Sequence, residues 1–180
     1  MPRRNVRSAP WRADDLGIVV ELLRQRRRPC RIKLKGATAV GEGTAPAQDD
    51  GSVDLAYDGM LVSVMASKYT GDGLRMAPRA QLDDGKMDCI FNAQKLTSRK
   101  NAVAIFADVK AGGKHMNNSA VAYYQATSLT LETPRPLLLN FDGENVGYTP
   151  LIATLKPKAF EIFVPAPAPA GAAHGAEDKV

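Results

Sequence analysis

Two stretches of this 180-residue chain concentrate polar residue types that chemistry uses. The first is Gly71-Asp72-Gly73-Leu74-Arg75-Met76-Ala77-Pro78-Arg79-Ala80-Gln81-Leu82-Asp83-Asp84-Gly85-Lys86-Met87-Asp88. It opens on glycines that permit positive φ, and its proline stops any helix. It closes on Asp-Asp-Gly, a tight turn that crowds carboxylates against bare backbone carbonyls. The second is Phe141-Asp142-Gly143-Glu144-Asn145-Val146-Gly147-Tyr148-Thr149-Pro150, with Asp142 and Glu144 on either side of Gly143. Taken by themselves, the first is a long hairpin connection and the second an Asp-Gly turn between strands. A polar loop fixed between rigid strands is also where function concentrates.

The flanking segments supply such strands. Val53 to Tyr57 and Met60 to Ser67 are β-forming runs around Asp58-Gly59, a hairpin turn signal, and Met87 to Asn92 follows the first loop. Earlier, Asp14 caps a predicted helix through Leu16, Val19, Val20, Leu22 and Leu23 to about Arg27, ended by Pro29. Arg31-Ile32-Lys33-Leu34-Lys35 alternates strictly and predicts a strand with one wet, basic face. Residues 36 to 52, rich in Gly, Ala, Asp and Pro, predict a loop. Thr97 or Ser98 caps a second predicted helix from about Arg99 to Lys110, and Gly112-Gly113 terminates it. Beyond it, Val121 to Thr133 predicts one long strand, followed by strands at Leu137 to Phe141, Leu151 to Leu155 and Phe160 to Val164. Many short strands with two helices predict a mainly β fold of the α+β kind, a β-sandwich with helical decoration. The expected organisation is a disordered N-terminus over 1–13, one domain over 14–165, and an Ala/Pro-rich disordered tail over 166–180.

Composition narrows the function classes. A hydrophobic fraction of 44% suits a globular core, and aromatics at 6% make that core aliphatic. No apolar run approaches the ~18 residues that span a bilayer, and the first residues lack the apolar centre of a secretory signal. Cys30 and Cys89 stand far apart and His115 and His174 are the only histidines, so neither pair builds a typical cysteine or histidine metal site. The net charge of +5 is concentrated in Arg24, Arg26, Arg27, Arg28, Arg31, Lys33 and Lys35. That cluster is either a solvated surface or an attractor of phosphate-bearing partners such as an anionic membrane. Aromatics do not interleave with it, which argues against nucleic acid.

The first stretch resembles the "G-G-G-M-x-x-A-P-x-A-x-L-D-D-G-x-L-D" signature of the diacylglycerol kinase and sphingosine kinase superfamily of lipid kinases. The second is similar to the same family's "D-G-E" and "T-P" motif, in the same order. Gly113-Lys114-His115 resembles the family's "G-x-H" step, and Lys156-Pro157-Lys158-Ala159 with Phe160 to Pro165 resembles its closing strands. The resemblance covers roughly residues 14 to 165 and concerns the family's C-terminal, β-rich domain. It departs in having Gly-Asp-Gly for three glycines and Lys86 for an apolar residue. The nucleotide-binding "G-G-D-G-T" loop of the family's preceding α/β domain is not found here.

The resemblance implies the substrate side of a kinase that moves the γ-phosphoryl of ATP, with Mg²⁺, to a diacylglycerol or sphingoid-base hydroxyl. Carried over by position, Glu144 is the general base and Asp142 assists it. A structural Mg²⁺ site falls on the Asp84 carboxylate and the backbone carbonyls of Gln81 and Lys86, all hard oxygen donors. The rival reading is a turn in which Asp83 and Asp84 bond backbone amides. The implied partners are the lipid substrate, a membrane surface touched peripherally from the cytoplasm, and the missing nucleotide-binding domain. A chain lacking that domain is expected to be inactive alone, as a fragment or truncated product. The alternative is a non-catalytic domain that binds acidic lipid through the basic face.

Overall fold

The computed structural model describes residues 26–71, 73–92 and 99–163. The helix expected over residues 14 to 27 lies almost wholly outside them, as do the two candidate caps of the second helix, Asp72 and the Ala/Pro-rich tail. Among the described residues ten strands and one α-helix follow in order: β1 Arg28–Lys35, β2 Thr38–Ala39, β3 Val53–Gly59, β4 Val62–Met65, β5 Met87–Asn92, α1 Arg99–Lys110, β6 Val121–Ala126, β7 Ser128–Glu132, β8 Leu138–Phe141, β9 Glu144–Tyr148 and β10 Leu151–Thr154. A short 3-10 turn, Lys114–Asn117, links α1 to β6.

Strict alternation in β1 sends Cys30, Ile32 and Leu34 inward, and β7 answers with Leu129 and Leu131. These strands form one antiparallel sheet in the order β10-β7-β1-β3. The second sheet runs β2-β6-β5-β4, also antiparallel. Its inward residues Met87, Cys89, Phe91, Ala122, Tyr124 and Ala126 close the sandwich core against the first sheet, with the Phe91 and Tyr124 rings stacked at 5.7 Å. Burying each of Ile32, Leu34 and Leu129 stabilises the fold by about 1.5–3 kcal/mol. β5 is buried on both faces, because its other side, with Ile90, lies beside Val121 and Tyr123 of β6 and packs beneath Ala77, Ala80 and Met116. The first loop is therefore a third layer over the second sheet.

Several sequence expectations need correction. The largest fully buried side chains, Tyr123, Tyr124 and Phe91, are aromatic, so the core is not purely aliphatic, and the expected loop over residues 36 to 52 contains the short strand β2. Val121 to Thr133 is two strands: the chain leaves the second sheet at Thr127 and enters the first. Thr127 pins that crossing, its N–H and hydroxyl both donating to the Lys35 carbonyl at 3.0 Å. Asp58-Gly59 likewise turns no hairpin. β3 pairs with β1 and β4 with β5, and Asn92 holds the crossover by accepting the Met60 N–H at 2.7 Å. Residues 160 to 163 form no strand, and Phe160, Ile162 and Phe163 are exposed there. The basic face of β1 is also less basic than its sequence. Arg31 forms a two-bond fork with Asp54, each bond 2.7 Å, and Lys33 reaches Glu132 at 2.9 Å.

Candidate functional site

β4 and β5 pair antiparallel, Val62 opposite Phe91 and Met65 opposite Asp88, so residues 66 to 86 are the long hairpin connection that the sequence suggests. The loop is held by a local bridge between Thr70 and Leu74 and by the Ala77 N–H donating to Lys68 O at 3.1 Å. Gly71 and Gly73 adopt φ of 53° and 73°, as the opening glycines require. Ala77 and Ala80 are buried, which seats the Ala-Pro step on the second sheet.

The Asp-Asp-Gly turn follows. Asp84 Oδ1 accepts the Lys86 N–H at 2.9 Å, an Asx turn, and Gly85 completes it at φ 70°. The amide-bonding rival is thus realised on one oxygen of Asp84. Asp84 keeps its second carboxylate oxygen, the backbone carbonyls of Gln81 and Lys86 belong to the same segment, and the charges of Asp84 and Lys86 both act on nearby Asp88. Asp88 is fully buried. Its Oδ1 accepts the Tyr123 hydroxyl at 2.5 Å and Gln125 Nε2 at 3.3 Å, while Oδ2 has no protein partner. Burial pushes the Asp88 carboxyl above its ordinary range, against the pull of those two hydrogen bonds. Hard oxygen donors of this kind, with the orphaned Asp88 Oδ2 a short way along the chain, are the chemistry a cation of the Mg²⁺ or Ca²⁺ type would use. Among the described residues no three His, Cys, Asp or Glu side chains cluster as a metal cage, and a site built largely of carbonyls does not need one. The Cys89 thiol, pushed up to about 12 chiefly by burial, is chemically quiet.

Glu144 and Asp142 stand on a different element. β8 and β9 form a separate two-stranded sheet with Phe141 opposite Glu144. Asp142 and Gly143 have φ of 50° and 95°, the double positive φ of the tight hairpin turn that Asp-Gly favours. The Asn140 carboxamide accepts the Gly143 N–H at 3.1 Å and steadies the tip. Both carboxylates are exposed. At the other end, buried Thr149 accepts the Leu137 N–H on its hydroxyl at 3.0 Å and bonds the Thr133 hydroxyl, before a cis Thr149–Pro150 bond leads into β10. The Asp-Gly-Glu and Thr-Pro halves of the second motif are therefore the tip and the latch of one arm. The structure brings Gln81, Asp84 and Lys86 into one turn and Asp142 and Glu144 into another, with no hydrogen bond between the two groups among the described residues.

Sequence reading alone missed the Asp88–Tyr123–Gln125 network. The available signals were a carboxylate inside the apolar run Met87-Asp88-Cys89-Ile90-Phe91 and the two-residue spacing of Tyr123 and Gln125, which puts both on one face of β6.

Residues 9–164 match the profile of the family described as YegS C-terminal NAD kinase beta sandwich-like domain. A protein named diacylglycerol kinase from Bacillus subtilis (strain 168) is 28% identical over 105 residues, covering 54% of this chain and 34% of that protein. Two solved structures of a candidate diacylglycerol kinase from Bacillus anthracis str. Sterne share the fold, with TM-scores of 0.56 and 0.55 at 18% and 20% identity. Each covers 79% of this chain and 41% of the solved chain, so this chain spans well under half the length of those relatives. Among the described residues no helix is long and apolar enough to cross a membrane. With its two-sheet sandwich, its Asp-Asp-Gly loop and its Asp-Gly-Glu arm, the chain belongs to the C-terminal β-sandwich domain family of the diacylglycerol kinase/YegS lipid kinases.

Proposed function

We propose that this chain is the substrate-side part of an ATP-dependent lipid kinase that phosphorylates a diacylglycerol or sphingoid-base hydroxyl. The observation that carries the reading is Glu144, exposed beside Asp142 at the tip of an arm whose base is latched by Thr149. A lipid hydroxyl is a poor nucleophile. A carboxylate held near it accepts the proton as the γ-phosphoryl moves across, and Asp142 keeps the tip anionic so that the proton is drawn away. Asp84, with the carbonyls of Gln81 and Lys86, would hold Mg²⁺ and stiffen the loop. The cation supplies fixed positive charge there and leaves proton transfer to the arm.

The ATP phosphates need a cradle that the described residues do not form, so a nucleotide-binding domain completes the site. The arm that carries Glu144 supports such a partner: Leu138, Phe141, Val146 and Tyr148 on it are exposed apolar residues. The reading places the complete enzyme in the cytoplasm, touching the membrane peripherally where its lipid substrate lies. The rival non-catalytic role relies on a basic face, and Asp54 and Glu132 already neutralise part of it. The test is transfer of labelled phosphate from ATP to diacylglycerol and to sphingosine by this chain joined to the nucleotide-binding domain of a relative. Transfer to either supports the reading, and no transfer by a folded fusion rejects it.

A further inference from the structure

A cavity of about 450 Å³ opens between β2, the end of β6 and the loop after β4. Polar and charged side chains rim it: Thr38, Lys68, Arg79, Gln81 and Gln125, over a floor that includes Ala80. Two of these are cations and none is an acid. Elsewhere on the domain the exposed cations Arg31 and Lys33 have carboxylate partners, whereas Lys68 and Arg79 have none among the described residues. Two uncompensated cations at one concave site raise the local concentration of anions.

The cavity is also preorganised around Arg79. Its carbonyl accepts Gln125 Nε2 at 3.4 Å. Gln125 also donates to Asp88 at 3.3 Å, which joins Arg79 to the buried Asp88–Tyr123 pair. The guanidinium donates from Nη1 to the Val40 carbonyl at 3.3 Å, which orients the fork and leaves most of its five donors unused. A planar fork with a nearby ammonium is the donor set that phosphate oxygens prefer. The volume exceeds what a phosphate alone requires, leaving room for a carbon skeleton against Ala80 and Pro78.

We propose that this cavity binds a phosphate group, with Arg79 as the forked donor and Lys68 as the second cation. The site lies on a different element from Glu144 and needs no catalysis there; it adjoins the turn proposed to hold Mg²⁺ through Gln81, whose backbone carbonyl is used there. The phosphate belongs either to a lipid headgroup or to a small soluble phosphate ester or free phosphate.

The experiment titrates the full chain, by calorimetry and by amide chemical shifts, with inorganic phosphate and with phosphatidylcholine vesicles containing or lacking phosphatidic acid. Arg79→Gln and Lys68→Gln are compared with Arg28→Gln, which removes equal charge from the start of β1 on the other sheet. The expected result is saturable phosphate binding, weakened about tenfold or more by each cavity variant and unchanged by Arg28→Gln. Loss of phosphatidic acid vesicle binding in the same two variants identifies a headgroup site, and a response to inorganic phosphate alone identifies a soluble ligand. Absence of saturable phosphate binding, or equal weakening by all three variants, overturns the proposal. The cavity variants must melt as the parent does, and shifts at Gln81 and Gln125 report occupancy independently of heat.

Discussion

His115 Nε2 donates to the Met76 carbonyl at 2.9 Å, tying the glycine-opened loop to the turn that precedes β6. The same turn makes a second contact with that loop. Gly113 adopts φ 89°, and a Cβ built there would lie 2.3 Å from Pro78 Cγ. Two sequence features recognised separately, the Ala-Pro step and the Gly-x-His step, are thus one interlocked structure. Because Nε2 must carry the proton to reach a carbonyl, Nδ1 is bare, and it is buried without a partner. The fold therefore favours neutral imidazole.

Gly113→Ala should lower stability by about 2–4 kcal/mol, combining strain at positive φ with a clash against a proline ring that cannot swing away. Urea denaturation with circular dichroism checks it. Gly112→Ala, where a Cβ would meet nothing within 4 Å, carries only the strain of φ 88° and should lose less.

Acid should loosen the same junction. Burial holds the His115 imidazole below its ordinary value of 6.5 in the folded state, although the Met76 bond opposes this. The unfolded chain therefore takes up a proton near pH 6.5 that the folded chain resists. The stability His115 contributes is present above that pH and is lost as pH falls from about 6.5 toward its folded value. Melting temperatures at pH 7.5 and 5.5 should show the drop, and His115→Gln, which cannot titrate, should shrink it.

Tyr123→Phe should cost about 1–3 kcal/mol, since it strips the buried Asp88 of its shortest hydrogen bond without opening a cavity. Tyr124→Phe is the comparison. Its hydroxyl donates to the Ala45 carbonyl at 2.7 Å, a neutral partner, so the loss there should be smaller.

Millimolar Mg²⁺ should raise the melting temperature of the chain by linkage, and Asp84→Ala should remove the rise. Differential scanning calorimetry with and without Mg²⁺ decides it. An equal rise in the variant would remove Asp84 from the cation site.

The parts of the fold that could be read from the sequence are those specified locally. Alternation in β1, the apolar run of β5, the helix ending at Gly112-Gly113 and the Asp-Gly turn at residues 142 and 143 each follow from neighbouring residues. What escaped was set by distant partners. Thr127 looks like any β-forming residue until the Lys35 carbonyl shows it to be the crossing point between sheets. Asp58-Gly59 has turn chemistry, but its register belongs to β1 and its exit is held by Asn92. The candidate site divides in the same way. Its two carboxylate turns are written in short motifs, while Asp88–Tyr123 and the Arg79 cavity exist only once β5, β6 and the loop are stacked.

The role proposed for Glu144, accepting the proton of the lipid hydroxyl, is open to one substitution in the fusion with a relative's nucleotide-binding domain. Glu144→Gln keeps the shape of the arm and removes the proton acceptor. Labelled phosphate transfer to lipid should fall by about 10²–10⁴-fold while lipid binding and melting temperature stay near the parent's. Transfer at the parent's rate by the Glu144→Gln fusion would contradict it.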